Sequence, residues 1–471
     1  MKKMSGEKIS RRRYLELMAA TVGGLVIGGV VGYSLRKPEV IPLPSGPIPS
    51  HSMIMIIGGF RPDVVRENIA EFDREWNIPM DKRTEVQSLS GDLTVATETK
   101  LAAGAPVDIC YSYPYATITW SKAGWILPID DIKKTDIVPY DMSEIKGKLY
   151  PVVVDAYSVG GKLYGLPYYV SDYGCILTNE ELLAKAGMSD DYPTTWKELY
   201  EKVEVLAKKH IVDYPLLPSW YNEPFGIPWA FVLEVINQGG NEAMWAKEYP
   251  YGPTFDVGTL AEEVLKDWKN AWDNGWVPKS ILTMKQTDFL GEFATGKYFY
   301  QVNAEYYLGY MNDPARSKIA GKCSIVPPKK QPWGLLDSAI YSLVNRKDRK
   351  DKDLEFAQAL LEFLGYKNRY GQYYVGKRWA ILEFLKTMPE VLEDPEVRAI
   401  WGAKLYRVED LDTVNKLLSI VQIPLAWKAP WYTKWNTIAQ SELPLALTGQ
   451  KSIKEVIKTL RDKAEELSKS G

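Results

Sequence analysis

From Gly161 to Leu199 the chain reads as two short extended runs followed by two capped helices, and that order confines it to a layered α/β architecture. Lys162 to Tyr169 is β-prone and punctuated by Gly165 and Pro167, residues that belong at strand ends and bends. Ile176 to Thr178 is a second short run. A helical pattern begins at Glu180 and runs to Lys185, with Gly187 where a C-cap would close it. Thr194 or Thr195 is placed to cap the next helix, and Glu198 to complete a capping box.

The same alternation fills the preceding hundred residues. Met53 to Ile57 is a continuous apolar run, the mark of a buried strand. Pro62 then suits a first helical turn, and the helix is expected to reach about Trp76. Arg83 to Ser88 reads as a strand, Thr94 to Ala103 as a helix and Val107 to Tyr111 as a third strand, followed by a short helix that closes near Lys122 to Trp125. Strands alternating with helices predict mainly parallel, doubly wound sheets.

A chain of 471 residues is too long for one ordinary domain. It holds 16 Trp, 30 Tyr and 11 Phe, more rings than cores usually ask for, and aromatic faces are what the flat apolar faces of sugars stack on. A net charge of −2 without a basic stripe argues against nucleic acid. With two histidines, His51 and His210, there is almost nothing from which to build a Ser-His-Asp triad or a histidine metal site. Cys110, Cys175 and Cys323 sit in apolar runs without a C-x-x-C pair and read as buried small hydrophobes. No phosphate-binding loop is present: Gly160-Gly161-Lys162 is followed by Leu163 and lacks the earlier glycine.

Residues 1–37 stand apart from the fold. Ser10-Arg11-Arg12-Arg13-Tyr14-Leu15-Glu16 resembles a twin-arginine export signal, and the 19 residues from Leu17 to Leu35 carry no charge. As a helix they would span roughly 28 Å, about one hydrocarbon thickness. With basic residues before the span and no A-x-A site near Leu35, an uncleaved membrane anchor is expected, with cleavage the competing outcome. Residues 38–52, with prolines at 38, 42, 44, 47 and 49, form a semi-extended spacer.

The hinge-like stretch also carries a resemblance. Gly161 to Pro167, Asn179 to Leu182, Ala186-Gly187 and Pro193 to Leu199 are similar in order and spacing to the crossing region of extracytoplasmic solute-binding proteins of ABC importers, the maltose-binding-protein-like branch. Glu180 and Thr178 stand where that family usually has Lys and often has Tyr. Further matching words are Lys100 to Asp108 (one residue longer than the family pattern), Ala123 to Ile129, Phe293 to Lys297, Cys323 to Pro328, Leu335 to Val344, Glu355 to Leu364 and Leu447 to Ile453. The resemblance implies a two-lobed α/β fold of the type II periplasmic-binding-protein kind. One lobe would comprise 53–167 plus about 323–378, and the other about 168–322 plus 379–471. A ligand would sit in the cleft, at the C-terminal edges of the strands.

Site candidates follow from that geometry. Loops after strands of the first lobe offer Phe60, Arg61, Ser112, Tyr113 and Tyr115, and Trp333 and Asp337 are expected to precede the returning strand. In the crossing, Asp172 precedes Asn179 by the seven residues at which maltose-type proteins place a carboxylate. The second lobe offers Trp220, Tyr221, Glu223 and Phe225, whose Glu223-Pro224-Phe225 resembles the family's E-P-[FY]. Tyr306 and Tyr307 stand where the family has a stacking Trp, and either Trp431 or Trp435 matches its second Trp. Carboxylates and rings suit sugars, since an acid accepts bonds from paired hydroxyls while a ring covers the C–H face.

The implied function is capture of an extracellular solute, a sugar or oligosaccharide, by lobe closure and its delivery to ABC permease subunits. The protein is expected to be exported and tethered at the outer face of the membrane or in the periplasm, monomeric, without cofactor, metal or catalytic residues. Competing readings are a binding protein for a peptide, polyamine or phosphate ester, a secreted glycosidase built on a carboxylate pair, and a purely structural surface protein.

Overall fold

Short apolar runs become strands, and the segments between them become helices whose buried faces cover the sheets. The computed structural model describes residues 47–89, 92–330 and 332–470. The expected export segment at 1–37 and most of the 38–52 spacer therefore lie outside the described residues. Eleven strands occur in the described chain: β1 (Ile54–Ile57), β2 (Glu85–Ser88), β3 (Ile109–Ser112), β4 (Ser158–Val159), β5 (Lys162–Leu163), β6 (Leu166–Tyr173), β7 (Cys175–Asn179), β8 (Leu216–Leu217), β9 (Tyr300–Asn303), β10 (Cys323–Ile325) and β11 (Leu335–Leu343).

Two sheets organise the fold. The first has the order β2-β1-β3-β11-β6, the second β10-β7-β9-β8, and β4 with β5 forms a separate hairpin. In the first sheet β1 runs parallel to β2 and β3, as the strand–helix alternation predicts. β11 is antiparallel to both β3 and β6. The second sheet departs from the expected parallel pattern: β7 is antiparallel to β10 and β9, and only β8 and β9 run together. The reason lies in the connections. β7 is delivered straight from β6 in the other sheet, so no helical crossover sets its direction, and the parallel-crossover rule does not apply to it.

The exchange between sheets also falls at other residues than expected. β6 stays in the first sheet through Tyr173, so the chain changes sheet at Gly174 and not at 167–168. β10 pairs with β7, so the return comes with β11 and not at 323. Gly174 has φ +107°, and a Cβ there would lie 2.2 Å from Leu233 Cδ2. Gly334, just before β11, has φ +101°, and a Cβ would lie 2.5 Å from the Asp172 carboxylate. Both crossings thus need a residue without a side chain.

Local signals explain the flanking helices. Asn179 caps Glu180–Lys185 by accepting from Leu182 N (3.3 Å). The capping box before Trp196–Ala207 is shared by two threonines: Thr195 Oγ1 accepts from Glu198 N (3.1 Å), and Thr194 N donates to Glu198 Oε2 (2.8 Å). The Asp351–Gly365 helix packs on β6 and β11, with Pro62–Glu75 and Tyr374–Glu383 against it. The Tyr432–Thr448 helix packs with Ile453–Ser470, Ile227–Gly239 and Leu260–Asp273 beside the second sheet. Among the described residues no helix is long and apolar enough to cross a membrane.

Candidate functional site

Strand ends and loops from both sheets face a cavity of about 480 Å³. On the first-sheet side Phe60 follows β1, and Tyr111, Tyr113 and Tyr115 follow one another from β3 into the Pro114–Lys122 helix. Tyr113 and Tyr115 lie nearly parallel, 6.3 Å between centroids at 9°. β6 adds Tyr169 and Tyr173, and β11 adds Leu336, Asp337 and Ser338. On the second-sheet side Tyr221 and Phe225 precede the Ile227–Gly239 helix, which contributes Trp229 from its first turn. Asn303 ends β9, followed by Tyr306 and Tyr307, while Trp427, Tyr432 and Asn436 come from the C-terminal region. Pro228 and the turn at Leu425–Lys428 present Trp229 and Trp427 together, 4.2 Å between centroids at 34°. Tyr306 and Tyr307 form a second pair at 4.2 Å and 42°, with their hydroxyls 2.9 Å apart.

The cavity is mostly ring surface with a few polar groups. Asp337 is half-buried and accepts one hydrogen bond, from Tyr169 Oη (2.7 Å). Desolvation among the rings pushes its carboxyl up to about 6, against the lowering effect of the Tyr169 hydroxyl. Burial also raises the Tyr113 and Tyr306 phenols and holds Tyr307 at about 12. These phenols stay neutral at ordinary pH and can both donate and accept. Asn303 Nδ2 and Asn436 Oδ1 have no hydrogen-bond partner, although their amides are otherwise held by Ala304 N and Pro224 O. No Lys, Arg or His lines the cavity among the described residues. Nor does any cluster of His, Cys, Asp or Glu among them have the makings of a metal site.

Residues 83–365 match the model of the family described as bacterial extracellular solute-binding protein. The chain belongs to that family. Solved structures of such solute-binding proteins share the fold. A maltose-bound MalE3 from T. maritima superposes with a TM-score of 0.68 at 18% identity, covering 89% of this chain and 100% of that one. A mannitol-bound ABC transporter solute-binding protein from Agrobacterium vitis gives 0.62 at 18%, covering 90% and 99%. By sequence, a mannitol-binding protein of Pseudomonas aeruginosa is 24% identical over 223 residues, so the match spans 46% of each chain, about half the length of that relative.

Within this solute-binding protein, Phe60, Tyr113, Tyr115, Tyr221, Phe225, Tyr306, Tyr307 and Asp337 are brought together at the cavity. The other expected residues do other work. The Arg61 guanidinium is held by Asp63 (Nε to Oδ1, 3.0 Å) and paired with Glu383. Ser112 is buried, with its hydroxyl 2.5 Å from Thr117 Oγ1. Glu223 Oε2 accepts from Gln286 N (2.9 Å) at the start of the Gln286–Ala294 helix. Trp220 packs on Trp268 at 4.7 Å, and Trp333 meets Trp196 edge-on at 5.4 Å, both fully buried. Neither C-terminal tryptophan reaches the cavity: Trp431 Nε1 donates to Pro250 O (2.7 Å) and Trp435 Nε1 to Leu460 O (2.9 Å). Trp427, one helical turn earlier, takes the place expected of them.

Asp172 does not line the cavity and belongs instead to a buried charge cluster. It is fully buried, its Oδ1 accepting from Cys175 N (3.1 Å). Glu305 Oε2 accepts from Ser171 Oγ (2.6 Å) and Asp172 N (2.7 Å), and its Oε1 is paired with Lys386, also buried. Desolvation raises the Asp172 carboxyl while Lys386 opposes the rise, and desolvation lowers the Lys386 ammonium while Asp172 opposes the fall. The cluster ties β6, the segment after β9 and the segment after the Tyr374–Glu383 helix into one junction beside Gly174 and Gly334.

The residues that sequence reasoning missed are Tyr111, Tyr169, Tyr173, Trp229, Trp427 and Tyr432. Two had a usable signal. Trp229 follows Pro228 three residues beyond the Glu223-Pro224-Phe225 triplet, and Trp427 lies between Pro424 and Pro430, bounds that mark a short turn. The strand tyrosines look like core residues from the sequence alone.

Proposed function

We propose that this chain is the extracytoplasmic receptor of an ABC importer and that its ligand is a sugar, a sugar alcohol or a short oligosaccharide. The observation that carries the reading is the cavity itself. Ring faces contributed by both sheets, chiefly the Trp229–Trp427 and Tyr306–Tyr307 pairs, surround one carboxylate and a few amides and hydroxyls. Flat rings cover C–H faces, while Asp337, Asn303 and Asn436 accept and donate to hydroxyls. Maltose and mannitol in related structures, and mannitol for the Pseudomonas relative, agree with that class. Phosphate esters fit poorly, since nothing cationic lines the cavity among the described residues. Closing the lobes is favoured by contacts a ligand makes with both at once.

Delivery then requires a membrane permease that recognises the closed form. Export through the twin-arginine-like segment, followed by tethering on Leu17 to Leu35, would hold the receptor near that permease. Catalysis is not part of this reading. A thermal-shift screen against sugars and polyols tests it: a ligand at 100 times its dissociation constant adds about 2.7 kcal/mol. A full panel that leaves the melting curve unmoved, or a sugar consumed on incubation with pure protein, would overturn it.

A further inference from the structure

Asp337 is the only charged side chain on the cavity wall among the described residues. Its one hydrogen-bond partner there is a neutral phenol, Tyr169. The surrounding groups do not balance its charge. Tyr113, Tyr306 and Tyr307 are neutral rings, and Asp172, opposite Leu336 on β6, is a second acid. The one buried cation near the junction, Lys386, is committed to Glu305. Arg61, the nearest cation beside the Phe60 loop, is spent on Asp63 and Glu383.

We infer that the site selects its carbohydrate by charge, taking an amine-bearing sugar over its neutral counterpart and rejecting acidic ones, with Asp337 as the specificity-determining residue. The inference rests on the carbohydrate reading above. An ammonium would place a full positive charge against an uncompensated carboxylate, adding ion-pair attraction to the charge-assisted hydrogen bond that a neutral hydroxyl also donates. The tyrosine and tryptophan faces beside Asp337 reinforce the preference, because ring faces attract cations. A neutral sugar finds the same walls and the same acceptor, without the charge.

Titration calorimetry at pH 7 with matched pairs decides the matter: glucose with glucosamine, galactose with galactosamine, mannose with mannosamine, and cellobiose with the glucosamine disaccharide. The amine should bind about tenfold more tightly in the pair that binds best, as expected when an ammonium replaces a hydroxyl against the same carboxylate and adds ion-pair attraction. Asp337→Asn should weaken both members of the pair and erase the preference, the amine losing about tenfold more affinity than the neutral sugar. Tyr169→Phe, which keeps the charge and removes its neutral partner, should retain it. Neutral members binding as well as or better than the amines, or a preference that survives Asp337→Asn in protein with a normal melting transition, would overturn the inference and leave the carbohydrate reading standing. Failure of every pair to bind would overturn the inference, and the full sugar and polyol panel then decides the carbohydrate reading separately.

Discussion

Two carboxylates stand on neighbouring strands with opposite fates. Asp337 on β11 opens into the cavity among neutral rings, with no cation beside it among the described residues. Asp172 on β6, opposite Leu336, is sealed behind the wall with Glu305 and Lys386. One side of the wall is built to meet a guest, and the other to hold the crossing together. The difference teaches that a carboxylate's role here is set by which cation the fold brings to it. For Asp172 that cation is Lys386, from a segment more than 200 residues away in the chain. For Asp337 there is none among the described residues.

The contrast breaks most visibly on the sealed side. Lys386→Met removes the one cation from a junction holding two buried acids, and losing one partner of a buried pair costs about 3–5 kcal/mol. Chemical denaturation should show that loss, while any ligand that still binds the folded variant should do so with nearly unchanged enthalpy. A variant as stable as the parent would mean that the junction is hydrated and that the two carboxylates are less different than they look.

The aromatic residues offer the same comparison at slightly smaller scale. Trp220 and Trp229 lie nine positions apart, yet one is sealed against Trp268 and the other is half-buried at the cavity. Trp220→Ala should cost about 3–5 kcal/mol of stability through its cavity and lost contacts, with affinity largely kept. Trp229→Ala should do the reverse, costing about 2 kcal/mol of binding, roughly thirtyfold, with a smaller loss of stability. Melting curves and ligand titrations on the two variants separate the roles. Equal effects on affinity would merge them.

That pair also shows how far the sequence could be read. Strands, helices and caps follow from residues close together, such as Thr194, Thr195 and Glu198, so local patterns suffice to place them. Site residues in loops after strands, such as Phe60, Tyr113 and Tyr307, are legible for the same reason, because strand ends deliver them to the edge where lobes face each other. A ring in a strand or at a helix start carries no such mark. Tyr169 and Trp229 look like core, and Trp220 and Trp435 look like stacking platforms, because only tertiary packing decides which face each ring presents. The spacing of Asp172 to Asn179 is visible in the sequence, whereas Lys386, the cation beside which the fold buries it, is not.

The smallest expected effect is the one that tests Asp337 most directly. Its carboxyl titrates near 6 in the folded protein, above the ordinary 3.8, because desolvation among the rings disfavours the charge. A raised carboxyl makes the folded chain take up its proton before the unfolded one does. The free protein should therefore gain stability from this group as pH falls from about 7 toward 4, and lose it again as pH rises through 6. The groups facing it, the phenols of Tyr113, Tyr169, Tyr306 and Tyr307 and the buried Asp172, do not supply an opposing change there, since burial raises all of the phenols and Asp172 as well. Binding should run the other way. A ligand that donates to the carboxylate needs it ionised, so affinity should fall below pH 6 by up to about tenfold per pH unit. Asp337→Asn should flatten the affinity curve and remove one group's share of the stability slope, the rest coming from other raised carboxyls such as Asp410, pushed up to about 6 by burial. If it lessens the stability slope and leaves the affinity curve sloping, the ligand does not touch Asp337, and the carboxylate that opens into the cavity is as structural as the one sealed behind it.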